Sequence, residues 1–258
     1  MRKKRSKNNS FGTLFTLILP ALIFLLWYFI AKAKLMPELL LPPPGKVIAK
    51  FIEELAKGRL QGDIGVSLRR VVSGYFLAAA FGIIMGVVMG MWQLFDKFFT
   101  LTFTAIRQIP MMAWVPLLIM WFGIGEESKV AVIFLAAYFP ILMNTLNGIK
   151  RTDPKLLEVG RMFNIGTLRM FLNIYLPSAL PHIFVGLKLG LSISWMAVVG
   201  AEMIAASSGI GFRLNDARSL MQFPIVFSGM IAIALVGVFM DWILTFISRL
   251  ATPWAASK

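Results

Sequence analysis

Apolar residues run along this chain in long blocks, and polar residues fill the short gaps between them. The first block covers Leu14–Ala31, behind the cationic start "MRKKRSKNNS". Others cover Val66–Trp92, Phe98–Phe122, Val130–Ile149, Ser178–Ala206 and Pro224–Ile247. A transmembrane helix needs about 20 apolar residues. Only helices and closed barrels satisfy every backbone group in lipid. The blocks therefore predict an all-α integral membrane protein with six transmembrane helices and both termini on one side. "AKA" at Ala31–Ala33 could serve a signal peptidase, but the first block is longer than a signal core. It is read as an uncleaved span with a cytoplasmic N-terminus.

The gaps carry their own pattern. After Pro42–Pro44, Val47, Ile48, Phe51, Ile52 and Leu55 recur at helical spacing, opposite Lys50, Glu53, Glu54 and Lys57. That predicts a short amphipathic helix lying at the membrane surface and ending near Gly58. In the second block, Gly82, Gly86 and Gly90 form one flat face suited to close helix packing. The third block is interrupted by Pro110 and Pro116, and "GIGEES" reads as a tight loop.

The most polar gap is "DPKLLEVGRMFNIGTLRMFLNIYLP", Asp153–Pro177. Asp153 suits an N-cap and Pro154 the first helical position. Leu156, Leu157, Val159, Gly160, Met162 and Phe163 supply an apolar side, and Glu158 can pair with Arg161 three residues on. Asn164–Gly166 breaks the helix; Thr167 can cap a second, which Pro177 ends. The expectation is a helix–turn–helix bracket outside the bilayer. It serves either as a loop packed on its own bundle or as a docking surface.

Composition narrows the function classes. The chain has 258 residues, 58% of them hydrophobic, and a mean hydropathy of +0.78. It has no cysteine and one histidine, His182, so thiolate and multi-histidine metal sites are excluded. The net charge of +14 gathers at block ends, where it orients helices and meets anionic lipid; no nucleic acid partner is expected. No G-x-x-x-x-G-K-[ST] occurs, so the chain is not expected to be an ATP-hydrolysing enzyme. Ionisable groups inside spans are costly and usually functional. Arg107, Lys188 and Glu202 are therefore candidate pathway residues. Pro110 joins them as a residue that could line a cavity or merely bend a helix, and Met111, Trp114 and Trp195 as residues that could line the pathway or simply pack. The competing reading is structural: an Arg107–Glu202 pair or a snorkelling Lys188.

"EVGRMFNIGTLRMFLNIYLP" resembles the EAA loop of ABC-type importer permeases. That pattern is E-A-A, three residues, G, nine residues, then I-x-L-P; Glu158, Ile174, Leu176 and Pro177 match. Val159 and Gly160 stand where the family has alanines, and Asn164 where it has glycine. Asn also tolerates a left-handed turn. "LPPPGKVIAKF", "RQIPMMAWVPLLIMWFGIGEESKV" and "LPSALPHIFVGLKLGLSISWMAVVGAEMIAASSGIGF" resemble segments of the nitrate/sulfonate/taurine permease subfamily.

The resemblance implies the type I ABC importer permease fold in a bacterial inner membrane, with N- and C-termini cytoplasmic. Residues 1–13 would be a basic tail, 14–31 the first span and 32–62 an extracytoplasmic or interfacial segment. Residues 63–248 would be the type I transmembrane domain, with its EAA loop at 150–177, and 249–258 a second tail. It implies a second copy of the chain, two ABC ATPase subunits that bind ATP and Mg, and an extracytoplasmic solute-binding protein. The coupling residues carried over are Pro154, Leu157, Glu158, Gly160, Arg161, Phe163, Asn164, Gly166, Ile174, Leu176 and Pro177. The implied substrate is a small anion: alkanesulfonate, taurine or nitrate. A vitamin precursor such as a pyrimidine is the alternative within the family. An ion-coupled secondary transporter is the alternative outside it.

Overall fold

The structure is a computed structural model that describes residues 9–254, with side chains from residue 18. The expected basic tail at 1–13 and the end of the tail at 249–258 fall partly outside the described residues. All regular structure among the described residues is helical. In chain order the helices are α1 (Asn9–Lys32), α2 (Pro44–Ala56), α3 (Arg59–Met91), α4 (Gln93–Arg107), α5 (Met111–Phe122) and α6 (Glu126–Lys150). Then follow α7 (Pro154–Met162), α8 (Thr167–Met170), a π-helical turn at Phe171–Tyr175, α9 (Leu176–Ala205), α10 (Ile210–Ser219) and α11 (Phe223–Ala251).

The glycine face of α3 sets the centre of the bundle. Gly74, Gly82, Gly86 and Gly90 abut Ile133, Ile141, Thr145 and Ile149 of α6. A methyl at Gly86 would stand 2.7 Å from Thr145 Cβ, so only glycine permits this approach. Both rows rise together in number, so α3 and α6 run parallel. The chain between them must then recross the full helix length. It does so through α4 and α5. α4 starts beside the end of α6, where Lys150 meets Asp96 at 2.6 Å. α5 ends beside the start of α6, where Lys129 Nζ donates to Ile124 O at 2.6 Å.

The two halves meet at a bend of 97°. Pro110 explains the break: it has no N–H to continue α4, and it disfavours helical geometry at Ile109. Two helices bent this sharply form a broken span or a re-entrant loop. α3, α6, the run Thr167–Ala205 and α11 are each long and apolar enough to cross a membrane; the bent pair brings the number to five. Among the described residues the six expected spans are thus met by four or five; the first expected span coincides with α1, whose apolar stretch Ile18–Lys32 is a shorter helix.

α9 packs antiparallel on α6: Gly148 meets Ala179 and His182, while Gly190 meets Ala137 and Ile141. α11 returns antiparallel to α9, with Trp195 Nε1 donating to Ile233 O at 3.0 Å. Two gaps hold more structure than their polarity suggests. α2 does not merely lie on lipid. Val47 is fully buried, Ser228 Oγ donates to its carbonyl at 3.2 Å, and buried Glu54 pairs with Arg213 of α10. The "SSGIGFRLNDARSLMQF" connection contains α10, which buries Ile210, Leu214 and Ala217 against the bundle. Short helical stretches with few apolar positions show little periodicity, so this one reads as loop.

Candidate functional site

α7 and α8 form the expected bracket, and local chemistry explains its shape. Asp153 Oδ1 accepts from Lys155 N at 2.9 Å, which caps α7, and Pro154 opens the helix. Asn164, standing where the family has glycine, takes φ +54°, a left-handed conformation. Asn164 N donates to Arg161 O at 2.9 Å and Ile165 N to Gly160 O at 3.0 Å. This bond pair is the Schellman closure of a helix end, and Asn is tolerated at its left-handed position. Gly160 is buried: a methyl there would stand 2.9 Å from Ile174 Cδ1 and 3.0 Å from Met170 Cε. Gly160 therefore lets α7 fold back onto the segment that ends in Ile174, Leu176 and Pro177.

Three local expectations need correction. Glu158 and Arg161 form no ion pair; both side chains are exposed. Thr167 does not cap α8, because Gly166 holds the cap position and no side chain bonds there. Pro177 does not end a helix. The chain stays helical from Thr167 to Ala205, because the π turn places Leu176 N on Phe171 O. One widened turn absorbs the proline's missing donor and bulk.

The bracket's outer side is apolar and uncovered. Met162 is 85% exposed, Phe163 77% and Leu168 71%. Leu156 and Val159 are about half exposed beside them, among Lys155, Glu158, Arg161 and Arg169. Leu157 faces the bundle side, and Gly166 sits exposed in the turn.

The pathway candidates divide into three places. Arg107, Pro110, Met111 and Trp114 come together in a cleft of about 450 Å³ at the α4–α5 break, closed by α6 and α9. Asn144, Leu189 and Ile193 share its walls. Arg107 is exposed there and has no ion-pair partner among the described residues. Lys188 and Trp195 line a different cavity of about 330 Å³ between α9 and α11, where Lys188 meets Asp241 at 3.1 Å.

Glu202 lies elsewhere, 1% exposed. Its carboxylate accepts from Ser67 Oγ at 2.8 Å, Arg70 Nη1 at 2.7 Å and Gly211 N at 2.9 Å. Arg70 also donates to Glu126 and to Ser208. Glu202 thus pairs with Arg70 and not with Arg107, and every oxygen faces a donor inside the protein. Sequence reading missed Ser67, Arg70 and Glu126. A usable signal exists: a span that starts at Val66 puts Arg70 one turn inside it, where a charge demands a partner.

A family model described as "Binding-protein-dependent transport system inner membrane component" matches residues 78–252, from α3 through the bracket to α11. The chain belongs to this family. It is 34% identical over 255 residues to the putative aliphatic sulfonates transport permease protein SsuC of Bacillus subtilis (strain 168), covering 99% of this chain and 92% of that one. It is 31% identical to the taurine transport system permease protein TauC of Escherichia coli (strain K12), covering 97% and 90%. Inward-facing structures of the MetNI methionine ABC transporter include one with a TM-score of 0.62 at 16% identity, covering 72% of this chain and 93% of that one. That likeness gives the fold, which is the type I ABC importer permease fold. Family membership also makes the chain a multi-pass inner-membrane transport permease. The bracket therefore belongs to a transporter subunit.

Proposed function

We propose that this chain is the membrane subunit of an ATP-driven importer that moves a small anion into the cytoplasm by alternating access. Alkanesulfonate or taurine, named for the relatives above, or nitrate is the cargo. A second copy completes the pathway, two ABC ATPase subunits bind and hydrolyse ATP with Mg, and an extracytoplasmic binding protein delivers substrate. The N- and C-termini and the α7–α8 bracket face the cytoplasm.

The observation that carries this reading is the uncovered apolar side of the bracket, with Met162, Phe163 and Leu168 all more than two-thirds exposed on a capped, closed turn. An ordered element keeps such a patch when a partner covers it. An amphipathic helix seated in a groove is the matching mode. Glu158, Arg161 and Lys155 rim the patch and would set its register by charge. Leu157, Gly160, Asn164, Gly166, Ile174, Leu176 and Pro177 fix its angle to α9, so ATPase closure would move α6 and α9 directly.

The Arg107 cleft supports the anion reading. Arg107 has no ion-pair partner among the described residues and stands where α4 ends and α5 begins, and helix ends of this kind meet charged substrates in transporters. Pro110, Met111 and Trp114 share that cleft. Lys188, Trp195 and Glu202 remain pathway candidates only if the α9–α11 cavity or the Arg70 network opens in another state.

Glu158→Lys tests the coupling role. It lies on an exposed face, so the permease should still reach the membrane. Association with the ATPase should weaken at least tenfold, the scale of a charge reversal at an interface rim. Unchanged co-purification and unchanged uptake would remove the docking role.

A further inference from the structure

A cavity of about 590 Å³ opens at the root of the bracket, apart from the Arg107 cleft. Gln93, Asp96, Lys97, Lys150, Thr152 and Leu157 are among its walls. Asp96 is already satisfied: Lys150 Nζ donates to it at 2.6 Å and Thr100 Oγ1 at 3.1 Å. Lys97 has no hydrogen-bond or ion-pair partner among the described residues, so the walls carry one positive charge in excess. Thr152 is 4% exposed, and its buried hydroxyl has no hydrogen-bond partner. Such an orphan beside a cavity calls for an occupant. α4 also begins here with no side-chain cap, so the N–H groups at its start have no side-chain acceptor, while Asp96 in its first turn is held by Lys150.

The flanks indicate where that anion comes from. Leu94 is 79% exposed, Phe98 74% and Trp92 52%, and all stand at or just after the junction where the apolar helix α3 ends and α4 begins. Tryptophan is enriched at membrane–water interfaces. We propose that this cavity holds the phosphate of an anionic phospholipid headgroup, with Lys97 as its main cation. Lys150 and the first turn of α4 complete the cradle. The acyl chains lie along Leu94 and Phe98. Leu157 of α7 shares the cavity wall, so a bound headgroup braces the joint between the spans and the bracket. That consequence for coupling rests on the function proposed above; the binding does not.

The full-length chain, purified in mild detergent with whatever subunits accompany it, separates the sources. Native mass spectrometry and thermal unfolding would be read with phosphatidylglycerol, phosphatidylcholine or millimolar inorganic phosphate added. Phosphatidylglycerol should be retained and should raise the unfolding temperature, and the other two should do neither. Lys97→Gln should weaken that retention about fivefold, the worth of one cation at a charged membrane surface. Lys97→Arg should preserve it, as should Lys46→Gln at the other end of the bundle. Equal retention of the two lipids, or unchanged retention in Lys97→Gln, overturns the site. Stabilisation by inorganic phosphate alone overturns the lipid assignment. Because no ATPase activity enters this readout, failure of the coupling reading leaves it interpretable.

Discussion

Two cations in this chain show how differently a membrane protein can hold a charge. Arg70 is 4% exposed and meets Glu126, Glu202 and Ser208, so its charge is spent inside the protein. Arg107 is exposed in its cleft with no such partner among the described residues, so its charge is available to something else. The first arrangement fixes structure, and the second leaves a charge for the proposed anionic substrate. Arg107→Ala should therefore cut uptake of an anionic substrate roughly tenfold, the loss of one charge-assisted hydrogen bond. Assembly with the ATPase should stay normal, because the cleft lies away from α7. Transport assays in membrane vesicles, beside co-purification, read both; unchanged uptake would make Arg107 a structural or interfacial cation. Sequence alone could not separate these two arginines. Both lie within or at the edge of apolar blocks, and only three-dimensional proximity to a carboxylate distinguishes them.

At the scale of elements, legibility followed periodicity and local chemistry. The cap at Asp153, the helix start at Pro154 and the left-handed turn at Asn164 depend on neighbours within four residues, and all can be read from the chain. The π turn at Phe171–Tyr175 cannot, because a proline ends a helix or merely widens it according to what packs around it. α10 stayed hidden for the same reason: its helix rests on contacts with α9 and α11 more than on its own pattern. The glycine face of α3 was legible as a packing surface, but its partner was not. Gly86→Leu tests the contact: it drives a side chain into Thr145 and should cost about 3 kcal/mol. Gly62→Leu, which meets nothing within 4 Å, should cost far less. Comparing the unfolding temperatures of the two variants checks this, and equal losses would mean that α3 and α6 do not meet this closely.

For the whole molecule, the parallel pair α3 and α6 forces the bent α4–α5 pair between them, and the bracket joins α6 to α9 at one end of that bundle. A force on α7 therefore reaches two spans that both wall the Arg107 cleft, since Asn144 belongs to α6 and Leu189 and Ile193 to α9. Rigid-body movement of one bundle against another is a sufficient way to alternate access. An ion-coupled carrier with this fold would draw its energy from a gradient and would leave the bracket idle. An ATP-driven importer draws it through the bracket. The two differ in one measurement on the reconstituted transporter with its ATPase and binding protein. Substrate accumulation should require ATP on the bracket side and should persist when a protonophore and a sodium ionophore collapse all gradients. Glu158→Lys should abolish that accumulation while binding-protein affinity for the substrate stays unchanged, because in the proposed topology the substrate is delivered at the opposite end of the spans from the bracket. Accumulation that stops with the gradient, or that continues without ATP, would reassign the chain to gradient-driven transport.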